Sequence, residues 1–402
     1  MVKIEPISFR KSVNIPSTTY ATFGLYRYPA KFIPHIIAYI LENYNGGVKS
    51  VFDPFAGYGT VGVVSKLYGK DYEMWDLNPA LKIFHSVSTM KPTGINPKDI
   101  LEEMKSCKNE FFPDWARLQF WFPKEFLSLL YKAWGYYHSL SDEKTKLFLA
   151  IPLLKATRYF SYDDMQRQKL TKSKKSQERI DKLLSSDWKN VFFFMLEKEM
   201  NKITKGLQEY QELNPQNTKA TIRAGVNTMK EKLKENKDIL ITSPPYLQSQ
   251  EYMRQAKLDL YWLGYPEKKI KEIGKLEIPY CDIEPIEIKS KTFLECESKI
   301  KEEHIRKIYD KYFWGILGTL TRLQENINSR MFLFVGHAST RGRAIPLDKI
   351  FIEHLTNFGW EHERTLSDTI VSRRLFQYKV NPASGIKDAR TAIENLVILK
   401  KT

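Results

Sequence analysis

Short apolar runs at residues 48–52, 71–75, 219–224, 238–241, 331–335 and 395–399 each have the length and composition of a strand. Between them, apolar positions recur at helical spacing, at 36–41, 61–67, 228–235, 258–265, 309–323 and 350–358. Such alternation predicts an α/β fold with a mostly parallel, doubly wound sheet. From about residue 100 to 213 the pattern changes to long helical periodicity, dense in aromatics such as Phe111, Phe112, Trp115, Phe120, Trp121 and Trp134. No doubly wound unit requires that stretch. The chain therefore divides into a core of residues 1–100 and 220–402 and an inserted, largely helical region at 101–219. Residues 266–298, rich in Pro, Lys and Glu, have no clean period and read as a connection.

Three predicted strands end in turns that carry chemistry. The first runs into Asp53-Pro54-Phe55-Ala56-Gly57-Tyr58-Gly59-Thr60 and then a helix. Gly57 and Gly59 allow backbone to approach a ligand closely, and the helix start offers free N–H groups. Two glycines and an acid at the strand end depart from the dinucleotide fingerprint. The second strand ends in Asp76-Leu77-Asn78-Pro79, with Asp76 lying 23 positions after Asp53. That spacing suits an acid that takes ribose hydroxyls, while Asn78 and Pro79 also read as the N-cap and first residue of a helix. The third turn is Thr242-Ser243-Pro244-Pro245-Tyr246. Its two prolines fix φ and remove two donors, which leaves carbonyls held outward. A hydroxyl and a carbonyl can accept both N–H bonds of a planar amine while a phenol ring stacks on its face, so the loop suits a nucleobase.

Charge narrows the partner. Lys and Arg number 63 against 47 Asp and Glu, a net charge of +16, which favours a polyanion and above all nucleic acid. No segment approaches the roughly 18 apolar residues of a spanning helix, and residues 1–10 lack a signal-peptide pattern. The expectation is a cytoplasmic, nucleoid-associated protein with no membrane partner. Cys107, Cys281 and Cys296 are isolated, show no metal-ligand spacing and do not follow proline, so neither a metal site nor a Pro-Cys nucleophile is expected. Within residues 158–189, Arg158, Arg167, Lys169, Lys172, Lys174 and Lys175 stand among Ser, Thr and Gln. Such a run suits phosphate and base-edge contacts, against the blander reading of a solvated face. His337, at the end of the 331–335 strand, reads as a hydrogen-bonding residue rather than a catalytic one.

The run from Asp53 to Thr60 followed later in the chain by Ser243-Pro244-Pro245-Tyr246 resembles the cofactor and catalytic motifs of S-adenosylmethionine-dependent DNA amino-methyltransferases, over most of residues 23–100 and 220–400. The resemblance implies a Rossmann-like methyltransferase fold, S-adenosylmethionine as cofactor and the insert as target-recognition region. It also implies double-stranded DNA as substrate, with a cognate restriction endonuclease as a candidate partner. Asp53 would hold the α-amino group of the methionine moiety, with Pro54, Phe55, Gly57, Gly59, Thr60, Asp76 and Asn78 completing the cofactor set. Arg27, Pro29 and Lys31, in a run similar to the element preceding the glycine loop in this family, would help at the methionine end. Tyr58 stands where the family usually has serine, and Val61 replaces a common second threonine. The acid expected after the third strand is missing from residues 223–227, which leaves the adenine to backbone or to Asn227. Within the resemblance S-P-P-Y goes mostly with cytosine. The implied product is therefore N4-methylcytosine in a flipped-out base, with adenine-N6 methylation and RNA or tRNA amino-methylation as the alternatives. Ser243, Pro244, Pro245 and Tyr246 would be the catalytic residues.

Overall fold

The structure, a computed structural model, describes residues 4–28, 31–167, 169–247, 251–336, 338–340, 342–369 and 393–402. Ten strands follow one another among these described residues: β1 (Ile4–Pro6), β2 (Ser50–Asp53), β3 (Asp71–Asp76), β4 (Ala220–Ala224), β5 (Lys237–Thr242), β6 (Ile327–Gly336), β7 (Ala338–Thr340), β8 (Arg343–Ile345), β9 (Trp360–Thr369) and β10 (Ile393–Lys401). β7 and β8 form a small hairpin, and the others form one eight-stranded sheet in the order β1-β9-β10-β6-β5-β2-β3-β4. From β4 through β6 all pairs are parallel, whereas β10 lies antiparallel between β6 and β9. Chain order reverses between β2 and β5, and the crevice beyond the carboxyl ends of those strands is where such sheets bind ligands.

The central strands are apolar on both faces because helices cover both. Val51, Ile239 and Ile241 share a core with Ile36, Ile37 and Ile40 of helix Pro34–Asn43. Their chain neighbours Phe52 and Leu240 point the other way, into a core with Phe313, Leu317 and Leu320 of helix Glu303–Leu323. This two-residue alternation between two helical layers is the period expected of a strand buried on both faces. Among the described residues, no helix is long and apolar enough to cross a membrane.

Helices Pro97–Ser106, Lys124–Ser139, Glu143–Tyr159, Lys174–Leu184 and Trp188–Glu212 build the third core, and they build it together with helix Tyr252–Trp262 from beyond β5. Trp134 stacks on Trp262 at 5.9 Å and donates from its ring nitrogen to Thr157 Oγ1 at 2.8 Å. Helix Trp188–Glu212 returns to helix Thr60–Leu67, which follows β2, where the Tyr210 hydroxyl donates to the Val63 carbonyl at 2.8 Å. It also packs closely on the short helix Ala21–Gly24 through Gly206, since a Cβ there would lie 2.8 Å from the Ala21 carbonyl oxygen.

Several local expectations need correction. Residues 228–235 form no helix. The Arg322 guanidinium takes the Thr228 carbonyl at 2.6 Å and that of Glu231 as well, and Arg223 takes that of Lys232 at 3.2 Å. Few apolar groups oppose this: Leu233 is buried, and the rest of that stretch is mostly Lys and Glu. Tertiary bonds then override a weak helical preference. Residues 266–298 hold two helices, Glu267–Gly274 and Lys291–Glu297, the second capped by Ser290. β1 and β9 had no recognisable run, because β9 is half polar. His337 and Pro29 lie outside the described residues.

Candidate active site

β2 delivers Asp53 to the crevice. Its Oδ1 accepts from the Thr242 hydroxyl at 2.6 Å and from the Phe55 amide at 3.0 Å, so the ends of β2 and β5 are tied by this one atom. The turn that follows needs glycine: Gly57 has φ +55° and Gly59 φ +89°. Asp76, at the end of β3, accepts from the Gly57 amide at 2.8 Å with one oxygen and from the Asn78 amide at 2.7 Å with the other. It thereby fixes the glycine turn in place and retains a further lone pair on each oxygen. Asn78 does not cap the next helix. Its side chain accepts from Ala80 N at 3.0 Å, and helix Leu81–Thr89 starts after that turn.

These groups line an open cleft at the carboxyl ends of β2, β3 and β5. Lys31, Asp53, Phe55, Gly57, Asp76, Asn78, Ser243 and Pro245 all line it. Pro54, Gly59, Thr60 and Pro244 are buried behind the lining. The Pro54 carbonyl accepts from the Thr228 hydroxyl at 3.0 Å. Tyr246 stands beside the lining residues Ser243 and Tyr252 and donates its hydroxyl to Glu394 at 2.6 Å. Arg27 is exposed and reaches the Gln166 carbonyl at 3.4 Å rather than the cleft. Tyr58, in the place of the usual serine, is buried and stacked on Phe84 at 5.5 Å. The Lys31 ammonium lies 3.3 Å over its ring and donates to the Phe23 carbonyl.

Sequence reasoning passed over Tyr28, Tyr252, Met253 and Glu277, which also line the cleft. Tyr28 sits in an aromatic run noticed for other residues. Glu277 comes from a stretch without periodicity and left no local signal. Asn227, named for a possible adenine contact, lines the cleft beside Thr228 and Met229.

Burial dominates the electrostatics. It pushes the Asp53 carboxyl up to about 7, Asp76 to about 6 and Glu277 to about 7. Burial also lowers the Lys31 ammonium far below the usual lysine range, with Lys202 adding to it. A cleft holding three carboxyls that are costly to ionise favours a ligand that brings its own positive charge.

The basic run of residues 158–189 separates into different environments. Arg158 needs correction as a DNA contact: its guanidinium is buried, paired with Asp163 at 2.6 Å and Asp259 at 2.8 Å, and donates to the Gln255 carbonyl at 2.9 Å. Arg167 pairs with Asp164 at 3.4 Å and Lys169 with Glu251 at 3.3 Å. The Lys172 ammonium lies 3.7 Å over the Tyr162 ring. Lys174 and Lys175 are exposed at the start of helix Lys174–Leu184, which is closed by a Ser173–Ser176 capping box.

No family model matches the chain. It is similar to Type II methyltransferase M.MvaI of Kocuria varians, with 23% identity over 290 residues covering 65% of this chain and 62% of the relative. It is also similar to Type II methyltransferase M.BsoBI of Geobacillus stearothermophilus, with 24% identity over 292 residues covering 64% of this chain and 55% of the relative. The matched region thus spans little more than half the length of these curated relatives. The mostly parallel eight-stranded sheet with helices on both faces is a Rossmann-like methyltransferase fold.

Proposed function

We propose that the protein is an S-adenosylmethionine-dependent DNA methyltransferase of a restriction-modification system, acting on the exocyclic N4 of a cytosine flipped out of duplex DNA. The observation that carries this reading is the meeting in one cleft of Asp53 and Asp76, from the ends of β2 and β3, with Ser243 and Pro245, from the end of β5. The similarity to two Type II methyltransferases supports it. The residues fit the cofactor: among the described residues Asp53 Oδ2 has no hydrogen-bond partner, and a buried carboxyl left in that state suits an ammonium group. Asp53 would hold the α-amino end, Asp76 the ribose hydroxyls, and Asn227 with its neighbours the purine. When bound, S-adenosylmethionine supplies an electrophilic methyl group.

This chain then has to present a poor nucleophile. The amine lone pair of cytosine is delocalised into the ring, and inside a duplex the amine is out of reach. Ser243 Oγ and the Pro244 carbonyl would accept the two amine hydrogens, drawing the nitrogen toward sp³ geometry and aiming its lone pair. Orientation of this kind contributes several kcal/mol, on the order of 7–11 in the best cases. Tyr246 would bound the base pocket with its ring held by the bond to Glu394, and the helical region at 101–219 would recognise the target sequence. A cognate restriction endonuclease is the partner this reading implies.

The test is chemical. Incubation with methyl-labelled S-adenosylmethionine and either duplex DNA or RNA, followed by digestion and mass identification of nucleosides, is expected to yield N4-methylcytosine from DNA. N6-methyladenine alone would move the assignment to adenine, and label in RNA alone would overturn the DNA reading.

A further inference from the structure

A second, more open depression of about 1070 Å³ adjoins the cleft and shares Met253 and Glu277 with it. Its wall carries Trp115 stacked on Tyr261, with ring centres 4.4 Å apart and planes 9° from parallel. Tyr280, 48% exposed, stands in the same wall. Its cations are Arg117, Arg254, Lys257 and Lys271. Two of them have counter-charges, since Arg254 pairs with Glu251 at 2.9 Å and Lys271 with Glu267 at 2.8 Å. Arg117 and Lys257 have no ion pair among the described residues, and the Arg117 guanidinium lies over the Phe120 ring at 4.7 Å. Partial burial and the neighbouring Arg254 and Arg117 depress the Lys257 ammonium, with Glu251 and Glu267 opposing them. Cations crowded this way, beside flat rings and open to solvent, are short of an anion.

Resting on the methyltransferase reading above, we propose that this groove carries the strand that bears the target nucleotide. Arg117 and Lys257 take its phosphates, the exposed Tyr280 ring lies beside its bases over a floor made by the buried Trp115–Tyr261 pair, and the target nucleotide passes Met253 and Glu277 into the cleft. Two cations without an acidic partner among the described residues, beside an exposed ring, suit the backbone and bases of an unpaired, sequence-tolerant strand. The first part of the basic run, Arg158, Arg167 and Lys169, fits this role less well, because these three already have acidic partners. Glu277 marks the junction because it is the carboxyl common to both cavities.

Duplex DNA binding of the full chain, measured by fluorescence anisotropy across a salt series, tests the proposal. The double variant Arg117→Gln, Lys257→Gln is expected to bind at least tenfold more weakly and to lower the slope of log affinity against log salt by about two, one for each phosphate left without its cation. S-adenosylmethionine affinity by calorimetry and the melting temperature are expected to stay unchanged. The charge-keeping variant Arg117→Lys, Lys257→Arg is expected to restore the slope. A wild-type slope in the glutamine variant overturns the groove while leaving the methyltransferase reading intact. Absence of salt-dependent DNA binding by the wild-type protein removes that reading, and the groove assignment with it.

Discussion

An Asp53→Asn variant is expected to lose affinity for S-adenosylmethionine by more than a hundredfold and, at pH 7, to melt at a higher temperature than the unsubstituted protein. Both effects come from the same burial. Asparagine can still accept from Thr242 and Phe55 through its oxygen, so the tie between β2 and β5 survives. What it lacks is the negative charge, and it aims an amide donor where an ammonium group would sit. Removing one partner of a buried ion pair costs on the order of 3 kcal/mol or more, which is over a hundredfold in affinity. In the empty protein the balance is reversed. Burial holds the Asp53 carboxyl at about 7, whereas an unfolded chain releases that proton near 3.9. Between those values the folded state binds more protons, so this residue subtracts stability progressively as pH rises from about 4 to about 7. Asparagine removes that loss, with a gain on the order of 1–2 kcal/mol above pH 7. Linkage gives a companion result: an ammonium ligand favours the ionised carboxylate, so cofactor affinity should rise with pH up to about 7 in the original protein and rise less steeply in the variant, where Asp76 and Glu277 still titrate. Calorimetric titrations and melts at pH 5, 6, 7 and 8 measure all three effects. Normal affinity in the asparagine variant would remove Asp53 from the cofactor site.

Arg158→Ala is expected to lower folding stability by about 3–5 kcal/mol, the usual loss when a buried ion pair is broken by removing one partner. It should leave the salt slope of DNA binding unchanged. Arg158 comes from helix Glu143–Tyr159, whereas its partner Asp259 comes from helix Tyr252–Trp262 and also accepts from the Tyr26 hydroxyl at 2.8 Å. Tyr26 in turn stacks on Phe84 at 4.9 Å, in the aromatic wall behind the glycine turn. Alanine would leave Asp259 buried without its cation. Burial already raises that carboxyl and Arg158 opposes the rise, so in the variant it would be raised further. A carboxyl with a raised folded-state value loses stability as pH climbs, so the variant's deficit should be smaller at pH 5 than at pH 8. Urea denaturation at the two pH values checks the sign. A loss under about 1 kcal/mol together with a reduced salt slope would return Arg158 to the DNA surface.

What could be read from sequence was what lies along the chain within a few residues. Asp53, Gly57 and Gly59 share one turn, Asp76 ends the next strand, and the Pro-Pro pair after β5 marks Ser243, so each turn announced itself and the sheet brings all three to one cleft. Residues whose position depends on packing between distant segments gave no such signal. Met253 and Glu277 reach the cleft because helix Tyr252–Trp262 is seated on the inserted bundle and the Met253 amide donates to Glu277 at 3.1 Å. Arg158 shows the same limit from the other side. Along the chain it is one cation among many, and only the fold places Asp163 and Asp259 around it. The failed helix at 228–235 belongs here too, since Arg322, which takes its carbonyls, comes from a helix about ninety residues later.

The position of β2 in the sheet sets a timetable for synthesis. β3 follows it closely and can pair as soon as it emerges, but the other edge of β2 waits for β5: the Ser50 amide donates to Asp238, 188 residues further on. At roughly 5–20 residues per second, that edge stays open for about 10–40 s while the helical insert is being made. Val51 and Phe52, fully buried in the finished protein, are present throughout that interval on a strand with one free edge. The insert consists of local helices that form in microseconds or faster, so it can fold and draw β4 and β5 back toward β3 before the sheet closes. Yield in a cell should therefore depend on how soon β5 arrives, and slowing translation between β3 and β5 should do more harm than slowing it before β2.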